Sequence, residues 1–139
     1  MVELIVGAKG KGKTKVLLEK AAEAVRNANG TVVYVDKNKQ HMYELSTKIR
    51  LIDITQYGVK GSEGLYGFIS GIIASDHDLE WLILDSFITI AGLEGTDPTE
   101  EISKIKSLSD KYGVNFVISI SLDEAELSDS LKAMVAVSL

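Results

Sequence analysis

The sequence predicts an α/β fold, a three-layer sandwich with a mostly parallel sheet, on three observations. Strand and helix patterns alternate along the whole chain. Segments such as Trp81–Leu84 are continuous apolar runs, as strands buried on both faces require. Strands separated by helices need crossover connections, which lay the helices over the faces of the sheet. With 139 residues and no repeat, linker or low-complexity segment, the chain reads as one domain, 1–139.

Each element has its own signal. Glu3–Val6 is a short apolar strand, followed by a Gly/Lys loop and a helix from about Lys13 to Ala28. That helix carries the stripe Val16, Leu17, Ala21, Ala24 and Val25, and Asn29-Gly30 stops it. Thr31–Val35 is β-branched and aromatic, hence a strand. A short helix is expected around His41–Thr47, a strand at Arg50–Ile54, a helix at Ser62–Ser75 and a strand at Trp81–Leu84. Asp97-Pro98-Thr99-Glu100 reads as a helix start, with Asp97 as N-cap and Pro98 in first position. That helix ends near Tyr112-Gly113; a strand at Asn115–Ile120, a polar helical stretch at Asp123–Leu131 and a strand at Met134–Val137 complete the chain. Gly64, Gly67 and Gly71, with Ser75, share one face of the Ser62–Ser75 helix. Each helical glycine costs roughly 1 kcal/mol relative to alanine, so something should approach closely there. Packing on the sheet is the first expectation, a second copy of the chain the alternative.

Composition excludes several functions. No cysteine means no disulfide scaffold, thiolate metal site, iron–sulfur cluster or cysteine nucleophile. No apolar run approaches the roughly 20 residues that span a bilayer, and Met1–Val6 lacks a signal-peptide pattern. A cytoplasmic protein without a membrane partner is therefore expected. The net charge of −5 opposes nonspecific nucleic-acid binding by the whole surface. Residues 1–69 nevertheless hold 11 basic and 7 acidic side chains, against 4 and 13 in residues 70–139. The run Lys9, Lys11, Lys13 and Lys15 and the pair Lys37 and Lys39 each follow a predicted strand, and Lys9, Lys11, Lys13, Lys37 and Lys39 fall at the carboxyl edge where open α/β sheets bind ligands.

The residues Gly7-Ala8-Lys9-Gly10-Lys11-Gly12-Lys13-Thr14 fit the pattern G-x-x-x-x-G-K-[ST] at every position. Glycines allow successive backbone N–H groups to curl around a phosphate, and the helix opening at Lys13 adds its positive dipole end. Lys13 can then reach the outer phosphates, and the Thr14 hydroxyl can hold Mg²⁺. Lys15 extends the same cationic run. Asp85, at the end of Trp81–Leu84, is placed to receive Mg²⁺ through water.

With these residues the sequence resembles the P-loop NTPases, and among them the RecA-like group. The resemblance rests on Gly7–Thr14, on Val33-Tyr34-Val35-Asp36 followed by a short helix and strand, and on Leu82-Ile83-Leu84-Asp85-Ser86, which matches the Walker B form. It implies a strand inserted between the P-loop strand and the Walker B strand. It also implies ATP and Mg²⁺ as cofactors, Thr14 and Asp85 as metal-binding residues, and Lys13, Asp36 and Asp85 as catalytic ones.

The departures restrict the function. RecA-like ATPases place a catalytic glutamate just after the second strand, a position occupied here by Asn38; Asp36 has the charge but lies two residues earlier. Strand Phe116–Ser121 ends in serines where recombinases carry Asn or Gln. Gly92–Asp97 and Ser121–Glu124 leave no room for DNA-binding loops, so specific DNA binding is not expected. Arg26 and Arg50 are poorly placed as arginine fingers, and Ala8 stands where partition ATPases carry a signature lysine. His41 and His77 read as surface residues, Tyr34 and Trp81 as core. Glu94, Asp123 and Glu124 lie near the edge, read first as solvated acids and only second as groups that position water. The expected function is a slow or partner-activated ATPase. The alternatives are a non-catalytic ATP-dependent scaffold and a small-molecule kinase with Asp36 or Asp53 at its acceptor site.

Overall fold

The computed structural model describes residues 1–139. Six strands form one all-parallel sheet: β1 (Val2–Val6), β2 (Thr31–Asp36), β3 (Ile49–Asp53), β4 (Leu79–Leu84), β5 (Asn115–Ile120) and β6 (Val135–Ser138). Their order is β3-β2-β4-β5-β1-β6, so β5 lies between β1 and β4, as expected. Five helices connect them: α1 (Lys13–Asn27), α2 (Gly61–Ser75), α3 (Phe87–Ala91), α4 (Thr99–Tyr112) and α5 (Asp129–Lys132). No helix is long and apolar enough to cross a membrane.

Strand alternation divides the core. Leu4, Val33, Leu82 and Phe116 point to the face covered by α2, α3, α4 and α5, within a cluster of 24 buried residues. Ile5, Tyr34, Ile83 and Val117 point to the opposite face, where α1 adds Leu17, Ala21 and Ala24 to a cluster of nine. The same alternation puts Asp36, Asp85 and Ser119 on the α1 face, at the carboxyl end of the sheet.

The structure corrects several sequence expectations. The helix expected at His41–Thr47 is one 3₁₀ turn, Met42–Glu44, with none of its residues buried. Such a segment lacks the apolar stripe whose burial holds a short helix together. The polar stretch Asp123–Leu131 divides into a 3₁₀ turn, Glu124–Glu126, closed by a capping box between Asp123 and Glu126, and the short α5. Helix α4 starts one residue later than read, with Pro98 in the N-cap position. The Asp97 carboxylate instead accepts from the Thr99 N–H at 3.0 Å and hydroxyl at 2.5 Å. Helix α3 had no sequence signal; it begins directly after Ser86, whose φ of +61° is the one positive value outside glycine.

The glycines of α2 also depart from expectation. A Cβ added at Gly67 or Gly71 would have no neighbour within 4 Å, and one at Gly64 would meet only Val59, at 3.6 Å or more. They do not pack tightly on the sheet. The close approach occurs at Gly30, where a Cβ would come 2.0 Å from the Asp78 carbonyl oxygen.

Candidate functional site

The loop from Gly7 to Gly12 is held at its base by backbone bonds. Gly7 N–H donates to the Leu122 carbonyl and Leu139 N–H to that of Val6, both at 2.9 Å. Gly10 and Gly12 have φ of +84° and +94°, values that side-chain-bearing residues rarely adopt. The amides of Lys9, Gly10 and Gly12 donate no hydrogen bond within the chain, and nothing stands over Gly10 or Gly12. Gly12 then caps α1, so the unsatisfied amides of the first helical turn add to a concavity suited to an anion.

Lys13 is 8% exposed, and its Nζ donates to the Ala8 carbonyl at 3.0 Å. Burial lowers its pKa; Asp85 opposes that shift and Lys9 adds to it. The Thr14 hydroxyl donates to Asp85 Oδ2 at 2.9 Å, joining the start of α1 to the end of β4.

Asp85 is fixed from both neighbouring strands. The Tyr34 hydroxyl, on β2, donates to Oδ2 at 3.1 Å, and the Ser119 hydroxyl, on β5, donates to Oδ1 at 2.7 Å. The Ser86 amide also donates to Oδ1, at 2.9 Å. Four donors therefore use the carboxylate's acceptor directions. Burial, followed by the negative charge of Asp85, pushes the Tyr34 phenol far up, which keeps it a donor.

Asp36, at the end of β2, is as buried as Asp85, at 5% exposure. It accepts from the Lys37 amide at 2.7 Å and more weakly from the Ser86 hydroxyl at 3.4 Å. Burial raises its pKa; the Lys37 amide opposes this and the Asp85 charge adds to it.

Lys13, Thr14, Asp36, Lys37, Asp85, Ser86 and Ser119 line a cavity of about 500 Å³, together with Lys9, Gly10, Gly12, Asn38, Gln40 and His41. Ser121 and Thr89 complete the wall. Of the sequence candidates, Lys9, Gly10, Gly12, Lys13, Thr14, Asp36 and Asp85 meet there, whereas the side chains of Ala8, Lys11 and Lys15, and Gly7, lie outside the wall. Glu94, Asp123 and Glu124 are outside it too, and exposed. Asp53 caps the turn after β3 by accepting from the Thr55 N–H at 3.0 Å.

Sequence reading left several contributors unassigned. Tyr34 is core as expected, but its hydroxyl reaches the site. Ser119, Thr89 and His41 were not assigned to it; His41 sits on the wall with Nδ1 against the Glu44 carboxylate. Strand alternation was the available signal, since Tyr34 and Ser119 share a face with Asp36 and Asp85.

No family model matches the chain, and no curated protein matches it in sequence. Among solved structures, it is similar to the flagellar accessory protein FlaH from Methanocaldococcus jannaschii, at 15% identity and a TM-score of 0.52. The match covers 95% of this chain and 65% of that one, so the chain spans just under two thirds of that protein's length. The likeness is one of fold, and the fold is RecA-like.

Proposed function

We propose that this chain binds a nucleoside triphosphate, ATP being the family's choice, with Mg²⁺ in the cavity at the carboxyl edge. The contact of 2.9 Å between Thr14 Oγ1 and Asp85 Oδ2 carries this reading. A glycine-rich turn with solvated lysines has no need of a buried carboxylate 71 residues away; a metal–phosphate site needs that pairing.

The residues fit such a ligand. Free amides at Lys9, Gly10 and Gly12 suit phosphate oxygens, and a hydroxyl beside a carboxylate suits a hard cation. When bound, Mg²⁺ neutralises phosphate charge. Thr14 and Asp85 would hold it. Lys13 would exchange the Ala8 carbonyl for phosphate oxygen and regain a full partner for its charge. Tyr34 and Ser119 keep the Asp85 carboxylate from turning away.

Turnover is proposed to be slow, or to depend on a protein partner. Asn38 has no charge, and its Oδ1 already accepts from the Gln40 N–H at 2.9 Å, so it is poorly suited to orient water. Asp36 is the remaining carboxylate on the wall. The same Asn38 geometry supports the second reading, a nucleotide-dependent scaffold without catalysis. Titration of the purified protein with ATP, with and without Mg²⁺, and a phosphate-release assay test both readings. Lys13→Ala should weaken binding by about 1.5–3 kcal/mol, the worth of a hydrogen bond to a charged group. Unchanged affinity in that variant would overturn the site assignment; phosphate release at ordinary ATPase rates would overturn the scaffold reading.

A further inference from the structure

We infer that the site takes the triphosphate as its substrate class and is indifferent to the base attached to it; this rests on the nucleotide reading above. The whole cavity wall is polar or glycine, with no apolar side chain among its 15 residues. A base gains affinity chiefly by stacking on a flat or apolar surface, and one stacked ring is worth roughly 5- to 150-fold. None of the chain's Trp, Tyr or Phe side chains supplies that surface in the wall. Tyr34 lies beneath Asp85, fully out of solvent. Tyr43 belongs to the turn that follows His41, but it is 92% exposed and outside the wall. Next to the loop, Leu139 packs against Gly7; its aliphatic surface offers contact without a donor or acceptor that could read a base edge.

Phosphate recognition, by contrast, is complete: free loop amides, the α1 N-terminus, Lys9 and Lys13, and the Thr14–Asp85 pair. His41 is the one ring in the wall. Its Nδ1 is held by the Glu44 carboxylate, and it lines the wall beside Gln40 and Asp36.

Calorimetric titration of the full chain in excess Mg²⁺ with ATP, GTP, CTP and inorganic tripolyphosphate tests this inference. The three nucleotides should agree within roughly fivefold, the lower bound of one stacked base, and tripolyphosphate should fall within about tenfold of ATP. Tyr43→Ala and His41→Ala should leave the ratio of ATP to tripolyphosphate affinity unchanged, whatever they do to both. ATP binding more than about 50-fold tighter than GTP and CTP would overturn the inference, as would loss of ATP but not tripolyphosphate binding in either variant. If all four titrants fail to bind, the nucleotide reading itself falls. If ATP alone binds and depends on Lys13, that reading survives and base indifference is refuted.

Discussion

The face of the sheet beneath α2, α3, α4 and α5 is apolar along its length, with 24 residues in its buried cluster. The α1 face has nine and becomes polar at its carboxyl end, where Tyr34, Asp36, Asp85 and Ser119 follow directly from Val32, Ile83 and Val117. The strands are the same; only the parity of the residue differs. One face obtains stability from shape and area, and substitutions that conserve volume are tolerated there. The other holds charges out of water, where each group depends on a specific partner. The site is therefore the part of the molecule most sensitive to the exchange of single atoms.

Asp85→Asn should produce the largest effect. The amide keeps the volume but presents its NH₂ to two donors, either Ser119 and Ser86 N–H or Thr14 and Tyr34. Bonds to a charged acceptor are worth about 1.5–3 kcal/mol each, and hydroxyl rotation recovers part of the loss. A destabilisation of about 3 kcal/mol in urea denaturation is expected. A loss below about 1 kcal/mol would mean that the polar end is no more demanding than the apolar face.

Tyr34→Phe removes one of the four donors and nothing else, since the ring remains fully buried. About 1.5 kcal/mol should be lost, with an unchanged denaturant slope. Nucleotide binding in this variant should weaken less than in Lys13→Ala, because Asp85 keeps three donors. Equal losses of binding would assign Tyr34 a direct part in ligand contact.

How much of this was legible follows the same division. Strand parity, the loop pattern and the apolar run ending in Asp85 needed only local sequence, and the structure brings Lys13, Thr14 and Asp85 to one cavity wall. The roles of Tyr34 and Ser119 depend on which strands neighbour β4, and that order is set by crossovers rather than by any local signal. Helix α3 escaped notice because five residues carry no periodicity to read. The α2 glycines misled because spacing shows which residues share a face, not whether that face is covered.

Asp36→Asn should have a smaller effect, and one of opposite sign. The folded-state pKa of Asp36 is raised above its ordinary value of 3.8, chiefly by burial. The folded protein therefore holds the proton more tightly than the unfolded chain. The Asp36 contribution to stability is fully present below 3.8 and is lost as pH rises through the raised folded value. The amide cannot ionise and still accepts from the Lys37 amide through Oδ1. At pH 7 the variant should be more stable than the native chain, and the difference should vanish in acid. A variant less stable at pH 7 would show that the Asp36 charge is fully compensated, as a fixed site charge is.

The smallest changes are expected on α2, where Gly67 and Gly71 border an open groove with Val33, Leu51 and Ile52. Gly67 and Gly71 are exposed, have helical backbone and leave open space where a Cβ would stand. Alanine there loses no contact and reduces the freedom of the unfolded chain. Each of Gly67→Ala and Gly71→Ala should raise stability by about 0.5–1 kcal/mol, the helical penalty of glycine. Gly30→Ala is the internal control: its Cβ would meet the Asp78 carbonyl, so it should destabilise. Both measurements need only urea midpoints, and light scattering on the same samples reads association. Stabilisation without a change in mass would mean that nothing seats on these glycines in solution. If alanine instead shifts a dimer to monomer, a second copy of the chain covers this face, and the apolar side would then carry a contact as atom-specific as any around Asp85.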